Sequence, residues 1–150
     1  MKKLGLIILL LTLTGCTTLE FPDYIKADHP YVRKITGKYQ DIVDAVAVVL
    51  FKEGWKIQRQ VNPSIYERRE GGEDQSQDVL FFTEIKQHPK VVYSTFTHLN
   101  VYVHPIAEGA EVEVRYEAIS STVIKQFHGS RNDKVSNRLL DKIEQELANK

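Results

Sequence analysis

Two alternating runs, Val91 to His104 and Ala110 to Val123, joined by the short stretch Pro105 to Gly109, constrain the fold more than any other part of the chain. Their apolar and polar residues recur with a period of two, which suits strands buried on one face. Folding the second run back on the first pairs His104 with Glu111, Val103 with Val112, Val101 with Val114, Leu99 with Tyr116 and Thr97 with Ala118. One face of the pair is then apolar along its length. The other carries His104 with Glu111, Tyr102 with Glu113, Asn100 with Arg115 and His98 with Glu117. A slip of one residue would turn every side chain to the wrong face, so the split fixes the register. An antiparallel sheet with one face under helices shows this division.

The flanking sequence supplies the helices. Tyr39, Ile42, Val43, Val46, Val49 and Leu50 recur at spacings of three and four, with Thr36 as the expected N-cap and Gly54 followed by Trp55 as a Schellman stop. Near the end, Ser130 with Asp133 reads as a capping box ahead of Val135, Leu139, Ile143 and Leu147, with Leu140 widening the stripe. Between the helices, Trp55 to Gln60 and Ile65 to Arg69 read as strands around Val61 to Ser64, and Glu70 to Asp78 as a polar loop. Val79 to Ile85 reads as a further strand, turning at Lys86 to Lys90 into the first of the two long runs. The expected fold is α+β, a two-layer sandwich with two helices on one face of a four- to five-stranded antiparallel meander sheet, spanning 36–150.

Pairing Ile85 with Val91 carries the same logic one strand back. It sets Thr83 opposite Tyr93 and Phe81 opposite Thr95 on the core side, and gathers Leu80, Phe82, Val92 and Phe96 on the other. An apolar cluster on an outer sheet face is either covered by another piece of the chain or is a docking surface. Leu80, Phe82, Val92 and Phe96, with His98, Tyr102 and His104 on the same face, are therefore the candidate partner-binding residues.

The first sixteen residues bear on location. Lys2 and Lys3 precede an apolar run from Leu4 to Leu13, which is too short for the ~20 residues a membrane span needs and has the layout of a secretory signal. Leu13-Thr14-Gly15-Cys16 resembles the lipobox of bacterial lipoproteins. That resemblance implies cleavage after Gly15, leaving 1–15 as a signal peptide, and acylation of Cys16, whose chains at about 0.8 kcal/mol per buried methylene hold a protein on a membrane. It also implies the bacterial envelope, with Thr17 after the cysteine favouring the outer membrane and its periplasmic face. Residues 16–35 then form a lipidated cysteine and a tether, with Phe21, Tyr24, Ile25 and Tyr31 more apolar than a free linker requires. The chain has one cysteine, so no internal disulfide can brace it. Loss of Lys2 and Lys3 from 20 basic residues leaves 18 against 20 acidic ones, a net −2 that argues against nucleic acid.

A helix ending in Gly54-Trp55, a meander, and an Asp-containing loop into a terminal helix resemble the helix-grip-type domains of small envelope lipoproteins. The pattern is also similar to the bacterial family named domain of unknown function 1499. Arg115, Asp133 and Asn137 match its pattern, and Val135 stands where that family has glycine. The resemblance implies fold and compartment and carries no activity.

Catalytic readings are weak on the residues themselves. His98 and His104 lie roughly 20 Å apart at ~3.3 Å per residue along a strand, too far to share a metal. Ser120, Ser121, Ser130 and Ser136 sit in no nucleophile elbow, and Gly71-Gly72 opens no phosphate-binding helix. The expectation is a non-enzymatic lipoprotein without cofactor or metal, attached to the membrane and binding an envelope protein. The alternative is a carrier or sensor for a lipid or another apolar small ligand.

Overall fold

The structure, a computed structural model, describes residues 21–26, 28–68, 74–122 and 125–150. The elements are β1 (Tyr31–Thr36), α1 (Tyr39–Lys52), β2 (Ile57–Val61), a 3-10 turn (Pro63–Ile65), β3 (Val79–Thr83), β4 (Lys86–Pro89), β5 (Ser94–Ile106), β6 (Gly109–Ser121), β7 (Gln126–Gly129) and α2 (Asp133–Ala148). They form an α+β fold around one open antiparallel sheet. Its order is β1-β6-β5-β3-β2, with β4 also on β5 and β7 also on β6.

The long hairpin has the register its side-chain pattern dictates: His104 pairs with Glu111, Val101 with Val114 and Thr97 with Ala118. Its apolar face meets both helices, so Leu99, Val101, Val103, Val112 and Val114 join Ile42, Val46, Leu50, Leu139, Leu140 and Ile143 in the main core. Among the described residues the sheet has seven strands, more than the four or five expected. β1 comes from the stretch read as tether, and β4 from Lys86 to Pro89, read as a turn. β7 follows the last expected strand. The stretch from Ile65, expected as a strand, leaves the 3-10 turn irregularly up to residue 68.

Both helix ends show how local chemistry sets the boundaries. Thr36 pairs with Gly109 in the sheet and so cannot cap α1, whose first turn is preceded by Lys38 with no side-chain cap. At the other end Gly54 has φ +70, Trp55 N donates to Leu50 O at 2.8 Å and Gly54 N to Phe51 O at 2.9 Å. Those two bonds make the expected Schellman stop and turn Trp55 into the core. The cap of α2 is Asn132, two residues after Ser130; its Oδ1 accepts from Val135 N at 3.1 Å.

Gly109 is where β1 and β6 meet most closely. A Cβ there would lie 2.0 Å from Ile35 O, and φ is +155. Gly109→Ala must push β1 off the sheet, and we expect it to lower the unfolding free energy by about 3 kcal/mol. Urea unfolding with an unchanged midpoint would show that this contact yields freely.

Candidate functional site

The outer sheet face carries the candidate residues, and the chain's own N-terminal segment lies over it as a strap. Asn100, fully buried, accepts from Ile25 N at 2.6 Å through Oδ1, and its Nδ2 donates to Asp23 O at 3.2 Å. Tyr24 stacks on Tyr66 at 5.0 Å between ring centroids, and Tyr66 packs on Phe82 at 5.3 Å. Phe21 meets Phe96 and His98 edge-on at 6.1 and 5.3 Å. Beneath these groups Leu80, Phe82 and Tyr102 form a second small core with Val61.

The expected docking patch is accordingly not an open surface. Leu80, Phe82, His98, Tyr102 and His104 are buried, and Phe96 is half-buried under Phe21. Val92 does not join them: it lies in the β4–β5 turn and is exposed. The cause is register. β3 pairs with β5 six residues further along than expected, Phe81 opposite Val101 and Leu80 opposite Tyr102, because β4 occupies the start of β5. An even shift keeps each side chain on its face, so Leu80 and Phe82 still share a face with Tyr102.

Arg115 holds the strap as well. Its guanidinium donates to Ile25 O at 3.1 Å and Glu67 Oε1 at 2.6 Å, and also to Glu113 and the Tyr24 hydroxyl. Burial by itself would weaken its hold on the proton, but the bonds to Glu67 and Glu113 outweigh that and raise its pKa. The Tyr24 phenol is pushed up to about 12, first by burial and then by its bond to Glu67. Both groups keep one charge state across the physiological range.

A second cluster pins the loop before β3. Asp78, whose side chain is fully buried, accepts from the Tyr102 hydroxyl and meets His104 Nδ1 at 2.7 Å. Gln75 Nε2 donates to the Tyr102 hydroxyl at 3.1 Å, and Asn62 Nδ2 to Gln75 O at 2.6 Å. A carboxylate orienting a histidine is also a catalytic arrangement, yet here the third partner is a buried phenol whose oxygen is already bonded twice. The geometry suits a latch between loop and strand. The expected pair His98 with Glu117 forms, at 3.1 Å.

On the helix side, a cleft of about 400 Å³ opens between Trp55, β4, the start of β5 and the first turns of α2. Trp55 and Tyr116 wall it, with Lys86, Lys90 and Arg138 around them. Lys86 Nζ stands 3.6 Å over the Trp55 ring and donates to Glu53 O at 3.0 Å; burial lowers its pKa. The Trp55 indole N–H has no hydrogen-bond partner among the described residues. Beside the cleft, Glu53 pairs with Arg138 at 2.8 Å and accepts from Lys142, the bond that chiefly holds its carboxyl below the ordinary value of 4.5.

A depressed carboxyl stabilises the fold above its unfolded pKa and stops doing so as pH falls through the folded one. Glu53→Gln should therefore cost about 1 kcal/mol at pH 7, since its partners are half exposed, and progressively less as pH falls below the ordinary glutamate value. Parallel urea curves for the two proteins would test this, and a difference independent of pH would contradict it.

Among the described residues no group of three His, Cys, Asp or Glu side chains could hold a metal ion, and no helix is long and apolar enough to cross a membrane. Cys16, the expected lipidation site, lies outside the described residues. Neither protein-family models nor curated proteins match the chain. Sequence reasoning did not single out Asp78, Glu67 or Lys86. Asp78 ends a stretch read as a polar loop and Glu67 falls in one read as a strand, and only contacts distant in sequence give them partners.

Proposed function

We propose that the protein is a lipid-anchored, non-enzymatic binding or assembly module of the bacterial cell envelope. The observation that carries this reading is the lipobox-like Leu13-Thr14-Gly15-Cys16, followed at once by a strap held on the domain through Asn100 and Arg115. A linker fastened this way keeps the domain close to its anchor. On the outer face Asn100 and Arg115 are engaged in that fastening. Cell fractionation with a Cys16→Ser control, combined with in-cell crosslinking, tests the reading. It fails if the Cys16→Ser protein still floats with membranes, or if the wild type crosslinks to no envelope protein.

The cleft at Trp55 favours a second reading, a carrier or sensor of an amphiphilic ligand. Trp55, Tyr116 and Val135 line it beside Thr95 and Thr97, its rim holds Lys86, Lys90 and Arg138, and the Trp55 indole N–H has no partner among the described residues. Native mass spectrometry of the purified protein would reveal a retained anionic amphiphile. A ligand-free spectrum from gently extracted protein would leave the first reading alone.

A further inference from the structure

Two turns lie side by side at one end of the sheet. Ser94, the first residue of β5, is level with Ser121 of β6, which is level with Gln126 of β7. The β4–β5 turn, closed by Lys90 N donating to Tyr93 O at 2.8 Å, therefore neighbours the β6–β7 turn. Turns favour Gly, Asn, Asp and Pro. This one presents Val91 and Val92, 104% and 76% exposed, followed by Tyr93 at 43%, with Phe127 of β7 at 54%. Lys90 is exposed, and Lys125 Nζ lies 5.1 Å over the Phe127 ring. Aliphatic side chains at a tip, aromatics just behind and lysines at the flanks match the layered chemistry of an anionic bilayer surface.

The course of the strap gives an independent pointer to the same end. β1 runs alongside β6 with Tyr31 opposite Val114, itself level with Val101. Upstream, Ile25 and Asp23 lie at Asn100, and Phe21 at His98 and Phe96. Traced backwards, the chain heads toward Ser94 and the tip. Cys16 is five residues before Phe21, so it can lie no more than ~18 Å away at ~3.6 Å per residue. The β5–β6 turn, with exposed Glu108, is at the far end of a 13-residue strand, ~40 Å off.

We propose that this tip docks on the bilayer that carries the Cys16 anchor. Val91 and Val92 enter the acyl boundary, Tyr93 and Phe127 sit at headgroup level, and Lys90 and Lys125 meet lipid phosphates. The orientation rests on the lipoprotein reading above; the insertion itself does not.

The test uses the full chain purified from membranes, with the mass of its N-terminal peptide reporting acylation separately. An environment-sensitive fluorophore is placed on Val92→Cys or, at the far end, on Glu108→Cys. Each protein is reconstituted into phosphatidylethanolamine–phosphatidylglycerol vesicles with or without spin-labelled lipid. The expected result is blue-shifted, lipid-quenched emission at position 92, aqueous and unquenched emission at 108, and loss of the shift at 92 when Val91→Asp is added. Aqueous emission at both positions overturns the proposal. So does a shift at 92 that follows protein concentration without lipid quenching, which would mark a contact between copies. If the N-terminal peptide is unacylated, the measurement is made with Cys16→Ser so that only position 92 carries the label, and quenched emission there would overturn the anchor and leave the insertion standing.

Discussion

Arg115→Ala is expected to lower the unfolding free energy by about 3 kcal/mol, because removing one partner of a buried ion pair leaves the other charge uncompensated. Glu113 is nearly as buried as Arg115 and would lose its guanidinium, while Glu67 is about one-third exposed and recovers some hydration. The effect should also be local to the strap. Ile25 O and the Tyr24 hydroxyl lose their donor, so amide exchange at Tyr24–Lys26 should speed up well before the helices open. Arg115→Lys should not restore protection, since one ammonium cannot span the fork among Glu67, Glu113 and Ile25. Retained slow exchange in the Ala variant would mean that Asn100 and the aromatic contacts hold the strap unaided.

Phe82→Ala should cost more, about 4 kcal/mol, with Val92→Ala within about 0.5 kcal/mol of wild type. The two residues belong together in a pattern read from sequence, yet Phe82 is 1% exposed and Val92 76%. Phe82 sits under the Tyr66 ring, with the Arg59 guanidinium 4.3 Å from its centroid, so truncation leaves a cavity that also loosens the stack carrying Tyr24. Equal losses for the two variants, measured by urea unfolding, would contradict this arrangement.

The parts of the fold that could be read from sequence are those in which local pattern and tertiary need agree. The β5–β6 register follows from a face split that only one pairing satisfies, and the stop of α1 from Gly54 and Trp55. Where the two part, the pattern misleads. Lys86 to Pro89 is polar and ends in proline, the composition of a turn, yet it pairs with β5 as an edge segment where proline costs no ladder bond. Missing it displaced β3 by six residues and brought Val92 into a patch it does not share. The strap was legible only as an excess of aromatics in a supposed linker. Its binding depends on Asn100 and Arg115, 75 and 90 residues from Ile25 in the chain. The latch at Asp78 likewise joins residues that no short-range pattern relates.

The break between β3 and β4 has a consequence for how this sequence can vary. Phe82 pairs with Asn100 and Lys86 with Thr97, so three residues on one strand span two on the other. Thr83 Oγ1 bridges the gap, accepting from Leu99 N at 2.9 Å and donating to Leu99 O at 3.2 Å. The extra residue inverts the alternation, which is why Lys86 faces Trp55 and not the strap. Losing Glu84 alone would remove that extra residue, so that two residues face two and Lys86 stays opposite Thr97 on the same side of the sheet. Lys86 would keep its place over Trp55, so the cation of the cleft depends on the pairing of β4 with β5 and not on the length of the break before it.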